Sequence, residues 1–218
     1  MSITFPRDLP AGIGFQQARF EPLVRQVSST TRGGRPQAVG LAPDLWTMRY
    51  VTAPLAEREA ETLRAWLQSL RGGQKFFKAV DPLRLYPLAY PAGFTGINRH
   101  SGASFDGTAT LSAVASTLDA ITLSTLPSTF QISIGDLVAI TYASGRQTLH
   151  RAQETATASA GVASFAVEPV LFPGGPVGTA GAVTLARPFC LAALDPQWDV
   201  SWKLGRWAVG TFQATQVY

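Results

Sequence analysis

One cysteine, two histidines and three lysines stand among 218 residues, and each shortage removes a class of chemistry. A single thiol, Cys190, cannot close an internal disulfide. Its place in the apolar run Pro188-Phe-Cys-Leu-Ala-Ala-Leu194 gives it the role of a small buried hydrophobe. His100 and His150 have neither a histidine nor a cysteine at metal-ligand spacing, so no zinc site is expected. No apolar run approaches the roughly 18 residues of a membrane-spanning helix, and the start MSITFPRDLPAG lacks the basic and apolar regions of a signal peptide. The expectation is a chain made in the cytoplasm or carried in a particle, without membrane insertion. Phosphate-loop and nucleophile-elbow patterns are missing as well. Gly12-Ile-Gly14 lacks the third glycine of a dinucleotide fingerprint and opens no helix, so it reads as a turn and no cofactor is expected.

Tryptophan is missing from the middle of the chain: Trp46 and Trp66 precede it, and Trp198, Trp202 and Trp207 follow it. Between about Gly96 and Ala186 the composition turns to Thr, Ala, Ser, Gly and Val. Three of the 18 basic residues and five of the 14 acidic ones fall there, a net charge of minus two. The flanks keep 15 basic and 9 acidic residues, or plus six. This predicts a discontinuous domain, residues 1–95 and 187–218, with an all-β domain, residues 96–186, inserted into it. With 15 arginines among the basic residues, a pI of 9.6 and no basic block, packed interfaces are better indicated than nucleic-acid binding.

The clearest element is a helix over residues 54–71. Leu55, Leu63, Trp66, Leu67 and Leu70 recur at three- and four-residue spacing on one face, and Glu57, Glu59 and Glu61 complement the dipole. Gly72-Gly73 supplies a left-handed stop. Around it, residues 45–51, 75–80, 198–203 and 206–212 read as strands, the last two joined at Gly205. The tryptophan cluster is expected to pack under the helix. In the middle segment, residues 120–124, 130–134, 137–142, 147–151, 162–167 and 182–186 read as short strands. Ser144-Gly145 is a turn there, and Phe172-Pro-Gly-Gly-Pro-Val-Gly178 a loop. Such a succession predicts a small barrel or sandwich.

Few groups could carry catalysis. Asp106, Asp136, Glu154 and Glu168 are the carboxylates from which a glycosidase pair would have to come, and surface solvation accounts for each; the chain is not expected to be an enzyme. The segment Thr30-Thr-Arg-Gly-Gly-Arg-Pro36 lies between the strand-like Leu23–Val27 and Gln37–Leu41, as a hairpin tip. Arg32, Gly33, Gly34 and Arg35 form its candidate subunit-interface loop, suited to acidic groups on a neighbour. On the middle domain, Tyr142 and His150 are the candidate glycan contacts.

The stretch from Trp46 to Pro87 resembles a phage-tail pattern. It has a tryptophan-bearing strand, then Pro54-Leu55, Glu59, Leu63, Trp66 and Ser69-Leu70 in a helix, Gly72-Gly73, Phe76-Phe77, and Asp81-Pro82. The segment from Ile134-Gly-Asp to Arg187-Pro188 is similar to the β-domain inserted in such proteins. The resemblance is to distal tail proteins, ring proteins of the tail tip or baseplate in long non-contractile-tailed (siphovirus-type) phages or tail-like particles. It implies a mainly β fold: a β-sandwich-like belt domain with one α-helix, plus an inserted small β-barrel or sandwich. It further implies a virion protein assembled in the host cytoplasm into a homo-oligomeric, hexameric ring. Tail tube and hub or tip proteins would be its partners, and DNA passing cargo only. Two alternatives stand beside this reading: another tail component, such as a tube terminator or hub-associated protein, and a module that binds a host-surface polysaccharide.

Overall fold

In β4 (Leu45–Thr52) and β16 (Trp207–Gln216), strict alternation of buried residues with half-buried or exposed ones sets which way each strand faces. Trp46, Met48, Tyr50 and Thr52 point inward from one, and Ala208, Gly210, Phe212 and Ala214 from the other. The computed structural model describes residues 3–30, 32–40, 44–142, 145–171, 181–203 and 206–217. In chain order the first elements are β1 (Phe15–Leu23), β2 (Gln26–Thr30), β3 (Pro36–Gly40), β4, α1 (Glu57–Ser69) and β5 (Phe76–Val80). Next come β6 (Thr108–Val114), β7 (Ala120–Ser124), β8 (Gln131–Ile132), β9 (Leu137–Thr141), β10 (Gln147–Ala152), β11 (Ala156–Thr157), β12 (Ala163–Glu168) and β13 (Gly181–Thr184). Last are β14 (Phe189–Leu194), β15 (Asp199–Lys203) and β16.

The fold is mainly β with one helix. A curved, open sheet runs in the order β1-β4-β16-β14-β5, with β15 also paired to β16. All its strand pairs are antiparallel. The β-sandwich expected for the flanks is thereby corrected: their long strands join one sheet, and a helix rather than a second sheet lies on its inner face. Residues β10-β12-β7-β6-β13-β9 form a closed six-stranded antiparallel barrel, with β8 and β11 as a small accessory ribbon. Ser144, Gly205 and the loop 172–178, expected as connections, lie outside the described residues.

Helix α1 is shorter than its apolar spacing predicted. Leu55 is instead bonded as a strand residue, its N–H donating to Ala208 O at 2.7 Å and its carbonyl accepting from Ala208 N at 3.0 Å. The Glu59 carboxylate then accepts from Ala56 N at 2.9 Å and closes the first turn. At the far end Arg71 adopts the left-handed conformation (φ 51°) one residue ahead of Gly72 and Gly73. Leu63, Trp66, Leu67 and Leu70 are all buried against the sheet, with Trp66 edge-on to Phe77 at 5.1 Å. Close approach depends on Gly210, where a Cβ would run into Leu63 Cδ2.

Two hydrophobic cores result. One lies between the open sheet and α1; the other fills the barrel with Leu111, Leu123, Phe130, Ile140 and Phe165. Tyr86, Tyr90 and Phe94, which precede residue 96, extend the barrel core at one end, Tyr90 stacking on Phe130 at 4.5 Å. The strands β9 and β10 serve both cores. Val138 and Ile140 face into the barrel, while Leu137, Ala139 and Leu149 belong to the core of the open sheet. Trp46 Nε1 donates to Leu149 O at 2.5 Å, and the Arg151 guanidinium lies 5.0 Å over the Trp46 ring while donating to Phe20 O at 2.8 Å.

Two outcomes follow from this packing. Gly210→Ala forces Leu63 out of a filled core, and urea unfolding should show a loss of about 1–3 kcal/mol. Excision of residues 96–186 removes Leu137, Ala139 and Leu149 from over Trp46. The remaining sheet and helix should keep their far-UV signal with red-shifted tryptophan emission and stability lower by roughly 3–6 kcal/mol; complete loss of secondary structure would show that the flanks do not fold alone.

Candidate functional site

The groups that could do chemistry are dispersed and already occupied. Cys190 is fully buried, and burial pushes its thiol up to about 12, so it is not a nucleophile at neutral pH. Among the described residues no three His, Cys, Asp or Glu side chains converge as metal ligands would. Asp136 accepts Leu88 N at 2.8 Å on one oxygen and Ser133 N at 2.8 Å on the other, while Asp81 accepts Leu83 N at 3.0 Å. Burial raises both carboxyls. Asp136 ties the segment after β5 to the turn before β9, while the Asp81 bond is local. Asp106 is committed to Arg99 and Thr108, whose hydroxyl and N–H bonds hold its carboxyl below the usual range; Glu154 accepts Ala166 N at 2.8 Å. Glu168 is exposed beside Arg151 in the β10–β12 pair. Each carboxylate has its own separate structural setting.

His150 sits inside the structure, 2 % exposed. Its Nδ1–H donates to Pro169 O at 2.7 Å, leaving Nε2 to accept from the Thr148 hydroxyl at 2.8 Å. Tyr142 is 3 % exposed in the barrel core. Both side chains expected to touch a glycan are therefore taken out of the surface: His150 stands opposite Val138, which faces into the barrel, and Tyr142 lies in the barrel core. His100 is exposed, with Nδ1 2.8 Å from Ser128 Oγ. A hollow of about 500 Å³ beside it is lined by Ser101, Thr108, Thr110, Ser124 and Thr125. Its one guanidinium, Arg99, is spent on Asp106, Thr108 and Thr125.

Exposed apolar side chains include Leu83, Leu88 and Ile134 and those on two hairpins. Among the described residues β2 and β3 pair only with each other, as an arm, and all ten of their residues are exposed. Val27 and Val39 stand directly opposite each other, 54 % and 65 % exposed, with Val24 at the base. Arg32, Gly33, Gly34 and Arg35 occupy its tip, where Gly34 takes a φ of 76°. Thr31 lies outside the described residues.

The second hairpin is β15–β16. Trp202 is 43 % and Trp207 53 % exposed, and Lys203 pairs opposite Trp207. This corrects the expected cluster of tryptophans under the helix. Trp46 and Trp66 are buried there and Trp198 packs against that core, but Trp202 and Trp207 are exposed on opposite faces of the β15–β16 hairpin, Trp202 opposite the inward-facing Ala208 and Trp207 on the outward face with Lys203. Alternation along β16 assigns Trp207 to the outward face, whereas Trp202 has the inward parity of Ala208 and its exposure is decided only by what covers it.

Comparison with models of known protein families returns no match for this chain, and comparison with curated proteins returns none. No finding ties it to a phage, a tail or a virion, so the descriptors drawn from the sequence resemblance, from distal tail protein to siphovirus, are withdrawn as an identification.

The buried imidazole makes a pH prediction. Burial lowers His150 to about 4, against about 6.5 in the unfolded chain, so between those values the unfolded state binds the extra proton. Stability is then lost as pH falls from 6.5 to 4, by about 3 kcal/mol in all. Asp81 and Asp136, raised by burial, act in the opposite sense, favouring the fold at low pH. Thermal unfolding of His150→Gln across pH 4–7 isolates the imidazole, and its acid limb should be flatter than that of the unsubstituted chain.

Proposed function

We propose that this chain is a non-catalytic structural subunit that assembles with copies of itself into a closed ring within a larger particle. The observation that carries the reading is the arm. A two-stranded hairpin with every strand residue in water is marginal by itself, and Val24, Val27 and Val39 gain nothing from solvent. Such a ribbon gains its stability when a neighbour covers it, and edge strands that invite aggregation become assembly surfaces when their pairing is specific. The arginines Arg32 and Arg35 at the tip suit carboxylates on that neighbour. A place between a tube protein and a hub protein, with DNA as passing cargo and assembly in the cytoplasm, is the setting that the sequence resemblance implies, and it rests on that resemblance alone.

The interior side chains give the reading its second support. The titratable groups set between the two cores are used as ties between segments, which is the arrangement of a rigid adaptor.

Deleting residues 31–36 should weaken assembly while leaving the monomer's fold intact. Multi-angle light scattering is expected to show a smaller species at the same concentration, with an unchanged circular dichroism spectrum. An unaltered particle mass would remove the arm from the interface.

A further inference from the structure

Strand β5 ends the open sheet, and its free edge is only partly used. Arg7 N donates to Phe76 O at 3.2 Å and Lys78 N donates to Arg7 O at 2.7 Å, so the segment before β1 pairs with this edge in parallel at one point. Along an antiparallel strand, successive residues turn their N–H and C=O groups to opposite sides. Phe76 and Lys78 turn theirs away from β14, and with no register shift in the β5–β14 pair Val80 does the same. The Tyr50 hydroxyl donates to Val80 O at 3.0 Å. Lys78 O and Val80 N have no partner among the described residues. The chain does not continue along the lane that Arg7 begins, because Leu9 turns in to pack on the core of the sheet.

We infer that this edge binds an extended segment of a partner protein, one residue of which donates to Lys78 O and accepts from Val80 N, while an acidic side chain farther along meets Arg187. The spacing of the two backbone groups argues for a peptide. In a parallel ladder a single residue bonds across two positions of its neighbour, as Arg7 does with Phe76 and Lys78, and Lys78 O with Val80 N is the next such pair. An acyl chain would leave both groups without bonds.

The surroundings choose the side chains. A groove of about 570 Å³ runs beside the edge, and Ile13, Phe15, Val80, Leu85 and Phe189 give it apolar walls. Its charged residues are Asp8, Lys78 and Arg187. Asp8 and Lys78 hold each other at 3.2 Å, which leaves Arg187 as the cation to be matched. Arg187 is exposed, and its guanidinium makes no hydrogen bond or ion pair among the described residues. Its backbone is nevertheless tightly placed: φ is 52°, in the left-handed region, and its N–H donates to Leu85 O at 2.6 Å. Phe189, two residues on, stands opposite Val80, so the guanidinium lies beyond the Val80 end of the lane. An unpaired guanidinium on a fixed backbone suits a carboxylate, and alternation along the bound strand suits apolar side chains between the acidic ones.

The probe is a capped pentapeptide alternating valine with glutamate, titrated into the full chain and followed by amide-resolved NMR and hydrogen exchange. Binding should shift the Val80 amide and slow its exchange at least tenfold. The same peptide N-methylated at every residue, or with lysine for glutamate, should bind at least tenfold more weakly. Arg187→Glu should reverse the preference between the glutamate and lysine peptides, and Arg187→Gln should abolish it; the amide spectrum checks the fold of each. No shift at Val80 with millimolar glutamate peptide overturns the inference. Equal binding of the N-methylated peptide also overturns it, since strand pairing would then play no part, as does an unchanged preference in both Arg187 variants. Slow exchange of Val80 in the peptide-free chain, lost on dilution, would put a second copy in the groove and overturn the partner segment. The ring reading is decided separately, by particle mass.

Discussion

The open sheet has one face to bury and a single helix with which to bury it. Five strands side by side span about 20 Å, and α1, with 13 residues, is about 20 Å long but only about 10 Å across. Roughly half of the inward face is left for something else to cover. The chain solves this from both sides: residues near the N-terminus, including Phe5, Leu9 and Ile13, close over one part, and the outer surface of β9 and β10 closes over another. Trp46 lies at that second junction, and its burial is supplied by a strand pair whose other face fills the barrel.

Because β9 and β10 are shared, the barrel is held to the sheet by packing as well as by its two chain connections. The polar contacts at the junction serve the same end. Arg151 covers Trp46 and caps a carbonyl of β1, Arg84 Nη2 donates to Gly135 O at 2.9 Å, and Asp136 collects the N–H of Leu88. Buried charge carries a desolvation cost, seen in the lowered guanidinium of Arg151 and the raised carboxyl of Asp136. Hydrogen bonds across the junction offset that cost and fix one orientation of barrel on sheet.

The same shortage of covering material leaves the two hairpins exposed. Trp202 and Trp207 stay exposed near the end of β15 and β16, and every described strand residue of β2 and β3 is exposed. Under the proposed function, assembly would resolve this exposure, since apolar surface on a rigid edge is stabilised by a partner of fixed register. The outer face of the sheet carries Trp207 and Phe76 as exposed aromatic side chains. Arg49 and Gln213 stand opposite each other there, on neighbouring strands.

Much of the local structure was legible in the residues. The spacing of Leu63, Trp66, Leu67 and Leu70 determined a helix, alternation determined most strands of the barrel, and the arginine-glycine tip determined the arm, because these patterns depend only on neighbours in sequence. The missed strands have a physical cause: β14 reads as one apolar run, and a strand covered on one side and half-covered on the other loses its alternation. Which face was covered, and by what, was settled only in three dimensions. That decided the burial of Tyr142 and His150, the exposure of Trp202, and the single sheet in place of a sandwich. Composition fixes how much apolar surface a chain must hide; the tertiary arrangement alone fixes which part of it remains exposed.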